Sequence, residues 1–540
     1  MKKVFYNGKI YTGELPFAEA FAVEDGRFVF VGNTKDALAL AAPGDELKDL
    51  QGRFVCAGFN DSHMHILNYG QALLTAKLDE HTGSLADLLA YVKAFAAEHP
   101  VAEGAWLKGR GWNQDYFTDV HRMPDRYDLD TISTEYPICL VRCCGHCLVV
   151  NSKALEILGI TADTPQPEGG SIGTSDCVPD GRFFDNAMGL VYDSLPAPSK
   201  EEVKAMIRTA CKALNSYGVT SSQSDDYQTF SGLPWQTVME AYKELEAAGE
   251  LTVRVYEQSN FGNLESLKAF VEAGHKTGVG SSMFRTGPLK MLGDGSLGAR
   301  TAYLSRPYAD DPSTCGFPVF SQETLDEMIG YANRNGMQTA IHAIGDGCLD
   351  MVLDAIEKAL KECPREDHRH GIVHCQISRA DQLRRMIGMK LHIYAQSIFL
   401  DYDNHIVEAR AGKDLASTSY SWKTLMDGGL SVSNGTDCPV EMPDALRGIQ
   451  CAVTRRSVRD GCGPYLPEQA FTVQEAIDSY TLRGAEASFE EKEKGRIAPG
   501  HLADFVVLGE DVFAADPDDI HRIDVLETWL GGVCTFSKSV

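Results

Sequence analysis

The chain has 540 residues, more than one compact core usually holds, so a large domain of the barrel class with something smaller beside it is expected. Its 44% hydrophobic and 23% charged content is that of a globular protein in water, and no stretch approaches the ~20 apolar residues of a membrane span. The 76 acidic residues against 50 basic ones, a formal net charge of -26, exclude a nucleic-acid surface built on Lys and Arg stripes.

The 15 cysteines are an odd number scattered through a long chain, unlike the dense, even framework of a small secreted domain. Lys2 and Lys3 open the chain, but Asn7, Gly8 and Lys9 interrupt any apolar signal core. The reducing cytoplasm is therefore the expected compartment.

Residues 1 to about 55 read as short strands separated by Asn7-Gly8 and Asp25-Gly26, the turn pairs that mark hairpins. The tail repeats the pattern, with Gly500 to Asp504 leading into Phe505-Val506-Val507-Leu508. The two ends, 1–56 and 490–540, are expected to form one small β-sandwich domain. Between them, short apolar runs alternate with helical periodicity. Candidate strands are 218–221, 252–256, 287–291, 338–342, 371–374, 390–394 and 430–434, with helices over 323–329 and 349–359 among those between them. Adding the apolar run Arg53–Phe59 makes eight. Eight strand–helix units predict a closed (β/α)8 TIM-like barrel over 57–489, an α/β fold. The stretch from about 80 to 200 breaks this rhythm. It carries Gly109-Arg110-Gly111-Trp112, a Pro/Gly-rich run over 165–170 and an apolar strand near 137–150, and is expected to be an insertion covering the barrel mouth.

Reactive groups in a barrel sit at the C-terminal ends of its strands. Those ends supply His63 and His65 after strand one, Lys290 in strand four, His342 in strand five, His374 in strand six and Asp437 after strand eight. Each alone is an ordinary hydrogen-bonded polar residue. Their joint arrival on one rim points to a metal site. His63, His65 and Asp437 would hold one ion, and His342 with His374 another. A bridging anion is then needed. Lys290 is donor-only as an ammonium, but carbon dioxide added to its amine gives a carbamate whose two oxygens bridge cations as a carboxylate does. One or two divalent ions, zinc first among them, are the expected cofactors, with the Lys290 carbamate.

With these residues in place, the sequence resembles the amidohydrolase superfamily, and within it the YtcJ-like amidohydrolases that include N-substituted formamide deformylases. The resemblance spans nearly the whole chain. Beyond the ligands it rests on Gly109 to Trp112, Met123 to Asp130, Gly145-His146 with Asn151 to Leu155, Asp294 to Ala302, His342 to Asp346, His374 to Gln376, Gly435 to Val440 and Gly495 to Asp504. It implies His63, His65, Lys290, His342, His374 and Asp437 as metal-site residues, Lys290 being carboxylated. Ala57, Asn60 and Val373 depart from the family pattern, which has proline, an apolar residue and glutamate there. None removes a ligand, though they bear on metal affinity.

The implied activity is hydrolysis of a C–N amide bond in a small N-formyl or N-acyl amine by a metal-activated hydroxide. Asp437 would take the proton and pass it to the leaving nitrogen, and His146 would contact substrate or the oxyanion. A deaminase or esterase on the same scaffold, or a non-catalytic amidohydrolase-like scaffold protein, are the alternatives. The partner expected is a small-molecule amide, without nucleic acid or membrane, and a homodimer is allowed. Trp112, Tyr116 and Phe117 read as loop packing or as an apolar pocket lining. Cys139, Cys143, Cys144 and Cys147 read as buried small hydrophobes rather than a thiolate site. His368 and His370 read as a loop leading into strand six.

Overall fold

The computed structural model describes residues 1–102, 104–143, 145–167, 170–195 and 197–539. It divides into two compact units, one of residues 1–68, 210–229 and 242–540, the other of 69–209 and 230–241.

The first unit is built on eight parallel strands that neighbour one another in chain order. They are β1 (Phe59–Met64), β2 (Val219–Ser224), β3 (Arg254–Asn260), β4 (Phe284–Leu292), β5 (Thr339–Ala343), β6 (Gly371–His374), β7 (His392–Ala395) and β8 (Val432–Asn434). Every residue of β3 is buried, as expected of a parallel strand covered on both faces. The helices follow the amphipathic rule. Gln322–Arg334 buries Leu325, Met328, Ile329 and Ala332 on one stripe, and the Ser321 side chain caps it by accepting from the Thr324 N–H, an interaction worth about 1 kcal/mol. The sheet is a nearly closed barrel. Between β1 and β8 the seam is bridged by residues beyond the strands: Asp437 N–H donates to the His63 carbonyl, and His65 N–H to the Cys438 carbonyl, both at 2.8 Å.

The apolar run expected to be the first barrel strand is in fact two strands. Phe54–Ala57 pairs with Phe505–Leu508, and only after Gly58 does β1 begin. His63 consequently lies inside β1 and His65 just past its end. The end segments form two sheets. Arg27–Gly32, Ala20–Glu24, Lys3–Tyr6 and Glu46–Asp49 make one. Lys9–Ile10, Phe54–Ala57, Phe505–Leu508, Val525–Leu530 and Val533–Ser537 make the other. Phe5, Phe21, Phe28, Val55, Phe505 and Trp529 share one core, so both ends of the chain contribute to it. The buried pair Arg254–Asp504, with Nε to Oδ2 at 2.6 Å, ties the start of β3 to this region.

The second unit holds a six-stranded sheet in the order Gly170–Ser175, Val178–Asp185, Cys147–Val150, Ile138–Arg142, Leu107–Trp112, Ala76–Lys77. The single strand expected near 137–150 is an antiparallel pair that turns at Gly145. Trp112 and Phe117 are core residues here, while Tyr116 is exposed, so these aromatics do not line a common pocket. Cys139 and Cys147 are buried as expected, but Cys143 is exposed on the turn; Cys144 lies outside the described residues, as do Glu168 and Gly169 of the Pro/Gly-rich run. Among the described residues no helix is long and apolar enough to cross a membrane.

Candidate metal centre

The barrel brings its histidines and an aspartate to one rim. Ligand atoms of His63, His374 and Asp437, all buried, lie within 4.8 Å of one another. His65 Nε2 is 3.0 Å and His63 Nε2 3.4 Å from Asp437 Oδ1. The ring of His342 stands 4.4 Å from that of His374, centroid to centroid. His374 therefore falls with His63 and Asp437 as much as with His342. His374 and Asp437 both have left-handed backbones, at φ 72° and 57°. A non-glycine residue held there costs on the order of 1–3 kcal/mol and persists where surrounding structure dictates it, most often at functional sites.

Hydrogen bonds set which imidazole nitrogen is available. Gln258 Nε2 donates to the Ser62 carbonyl, which turns its Oε1 toward His63 Nδ1 at 2.7 Å. His63 Nδ1 is thus the donor, and Nε2 keeps the lone pair facing Asp437. Gln396 Oε1 lies 2.8 Å from His374 Nδ1, and the Asp225 carbonyl accepts from His65 Nδ1 at 3.1 Å. Burial, with the Lys290 charge nearby, holds the His63 imidazole well below its ordinary range; burial, with His342 beside it, does so for His374. Both stay neutral, the form that ligates metals. Burial lowers His65 too, but its hydrogen bond to Asp437 outweighs this and raises it to about 9. Burial pushes the Asp437 carboxyl upward, but its hydrogen bond with His65 holds it below the usual carboxylate range.

The surroundings of Lys290 are incomplete. Its Nζ is fully buried, finds no hydrogen-bond partner among the described residues and lies 3.5 Å from Asp225 Oδ2. A buried ammonium with its three donors unsatisfied is costly. The donor set of imidazole nitrogens and a carboxylate oxygen suits zinc and similar divalent ions, and the orphaned Nζ sits where a carbamate would turn a cation into oxygen ligands. By these two observations the residues fit the metal group.

The seam of the barrel is braced by a residue that sequence reasoning passed over. Asp61 Oδ1 accepts from His63 N–H at 3.2 Å and Thr436 N–H at 3.1 Å, and the Thr436 hydroxyl donates to Oδ2. Burial raises this carboxyl to about 7. Gly435 passes so close that a Cβ there would lie 2.5 Å from His63 N, which reserves the position for glycine. Asp225, Gln258, Asp294 and Gln396 were missed as well. Asp225 and Gln396 follow strand ends that carry no histidine, and reading every strand end would have found them. Of the expected departures, Val373 packs with Ala340, Tyr394 and Ala487, and Asn60 is buried with its Oδ1 unbonded. His370 is bonded to Asn333 and His368 to the Met389 carbonyl, as a structural approach to β6 requires. His146 belongs to the second unit, where its side chain is 77% exposed and 3.3 Å from Asp185.

The model of the Amidohydrolase family matches residues 46–536. The chain belongs to the amidohydrolase family. It is 34% identical to a Bacillus subtilis (strain 168) protein named "Putative amidohydrolase YtcJ", over the full length of both chains. It is 25% identical to the N-substituted formamide deformylase of Arthrobacter pascens, covering 97% of this chain and 95% of that one. Among solved structures, an uncharacterized metal-dependent hydrolase from Pyrococcus furiosus superposes with a TM-score of 0.77 at 28% identity, covering 95% of this chain and all of that one. This amidohydrolase thus has the nearly closed eight-stranded parallel barrel of a metal-dependent hydrolase, with a His/His/Asp cluster at the strand ends.

Proposed function

We propose that this amidohydrolase cleaves the C–N bond of a small N-formyl or N-acyl amine. The observation that carries the reading is the convergence of neutral, oriented imidazoles and Asp437 beside a buried Lys290 that lacks hydrogen-bond partners among the described residues. His63, His65, His342, His374, Asp437 and Lys290 as its carbamate would hold one or two divalent ions, zinc first among them. Bound there, the ions supply Lewis-acid polarisation of the amide carbonyl and a nucleophile at neutral pH. Gln258, Gln396 and the Asp225 carbonyl keep three of the imidazoles aimed. Asp437, held as a carboxylate, is the base that takes the proton of the attacking water and delivers it to the departing nitrogen. His146, exposed rather than packed, is the candidate for a substrate or oxyanion contact. We further assign the chain ends 1–56 and 490–540 to a small β-sandwich domain, and the protein to the cytoplasm.

The test is a panel of N-formyl and N-acyl amines given to zinc-replete protein with bicarbonate present. Release of formate or another carboxylate with the free amine supports the reading. Ammonia from an amino-substituted ring, or cleavage confined to esters, would transfer the site to deamination or ester hydrolysis. Protein that holds no metal and turns over none of the panel would be a scaffold.

A further inference from the structure

The turn that follows β4 grips His342. Gly293 N–H donates to the His342 carbonyl at 3.0 Å, and a Cβ on Gly293 would lie 2.5 Å from that same oxygen, so the approach depends on glycine. One residue on, Asp294 Oδ1 lies 3.2 Å from His342 Nε2, and the Gly295 carbonyl lies 3.1 Å from it. Both partners accept. Nε2 must therefore carry the proton, and Nδ1 is the nitrogen left with a lone pair.

Asp294 is itself held. Its Oδ2 accepts from the Tyr303 and Gly345 N–H groups at 2.8 Å each, and its Oδ1 from Ile344 N–H at 3.0 Å. With its side chain fully buried, the carboxylate has no freedom to turn away from the imidazole. His63 and His374 are each met by a glutamine, and His65 by a carbonyl and by Asp437, itself a candidate ligand. The carboxylate against His342 is not one of the candidate ligands.

We propose that Asp294 is the positioning residue for His342: its carboxylate stands against Nε2 beside the Gly295 carbonyl that accepts the proton, fixes the ring in the barrel rim and leaves Nδ1 to a cation. This rests on the metal centre proposed above. A partner of this kind is worth about ten- to hundredfold in metal affinity. A purely structural Asp294 would cost stability and leave affinity for zinc alone.

The experiment is a double-mutant cycle read by zinc affinity. The full chain with bicarbonate competes for zinc against a chromophoric chelator, as wild type, Asp294→Asn, His342→Ala and the double variant. We expect Asp294→Asn to weaken zinc binding about ten- to hundredfold, and the double variant to bind no more weakly than His342→Ala alone. Losses that multiply in the double variant, or wild-type affinity in Asp294→Asn, would overturn the proposal. Should Asp294→Asn fail to fold, the wild-type chain is read by 15N NMR of the His342 ring without metal: a protonated Nε2 and a bare Nδ1 are expected, and a proton on Nδ1 would overturn the role. If His342→Ala itself binds zinc like wild type, the metal-centre reading falls, a result separate from failure of the Asp294 assignment.

Discussion

Asp437→Asn is the substitution that separates proton transfer from metal holding. The residue is buried, 3.0 Å from His65 Nε2 and 3.4 Å from His63 Nε2. Asparagine keeps the shape and one oxygen donor, and His63, His65 and His374 remain, so zinc should still be retained. What asparagine lacks is the capacity to take a proton. Transfer by a positioned side chain contributes about 10²- to 10⁴-fold. At 1.36 kcal/mol per factor of ten, the barrier should rise by about 3 to 5 kcal/mol. The assay is the initial rate of carboxylate or amine release from the best substrate of the panel, with metal content measured on the same sample. Turnover within about tenfold of wild type, with zinc in place, would refute the role assigned to Asp437.

Two further predictions concern the scaffold. Asp504→Ala leaves the buried Arg254 guanidinium without its partner and should destabilise the protein by about 3–5 kcal/mol in chemical unfolding, whereas replacing both residues by apolar ones of similar size should cost far less; equal losses would show that the pair does not act as a pair. His392 is held down to about 3, by burial and then by Arg369 and Arg483, while an unfolded histidine titrates near 6.5. Its contribution is thus fully present above about pH 6.5 and is lost as pH falls toward 3, at about 1.4 kcal/mol per unit. His392→Gln should flatten that part of the stability–pH curve by about one proton, and an unchanged slope would contradict it.

The barrel was legible because its strands are short apolar runs with turn signals at regular intervals, and their C-terminal ends carry the ligand candidates. Runs 371–374 and 338–342 were placed to within a residue of β6 and β5. The run before His63 was misread, because Phe54–Ala57 and β1 are both buried and a single glycine between them leaves no break in hydropathy. The residues that orient the ligands were not legible. Gln258 and Gln396 have no spacing relative to His63 and His374; only the lateral order of the strands brings them together. Asp294 was quoted as part of a motif, yet its task depends on the loop between β4 and Gln322 folding back over β5, which periodicity does not report. Asp61 sits beside His63 in the sequence, but its partner Thr436 arrives from the far end of the barrel.

Lys290 decides whether the proposed centre assembles. The most direct measurement is the zinc affinity of the full chain with and without bicarbonate, for wild type and Lys290→Ala. Wild type should bind zinc tightly with bicarbonate and about tenfold or more weakly without it, and Lys290→Ala should be weak in both. Zinc bound equally well by Lys290→Ala, or by wild type stripped of bicarbonate, would contradict a centre assembled on the Lys290 carbamate.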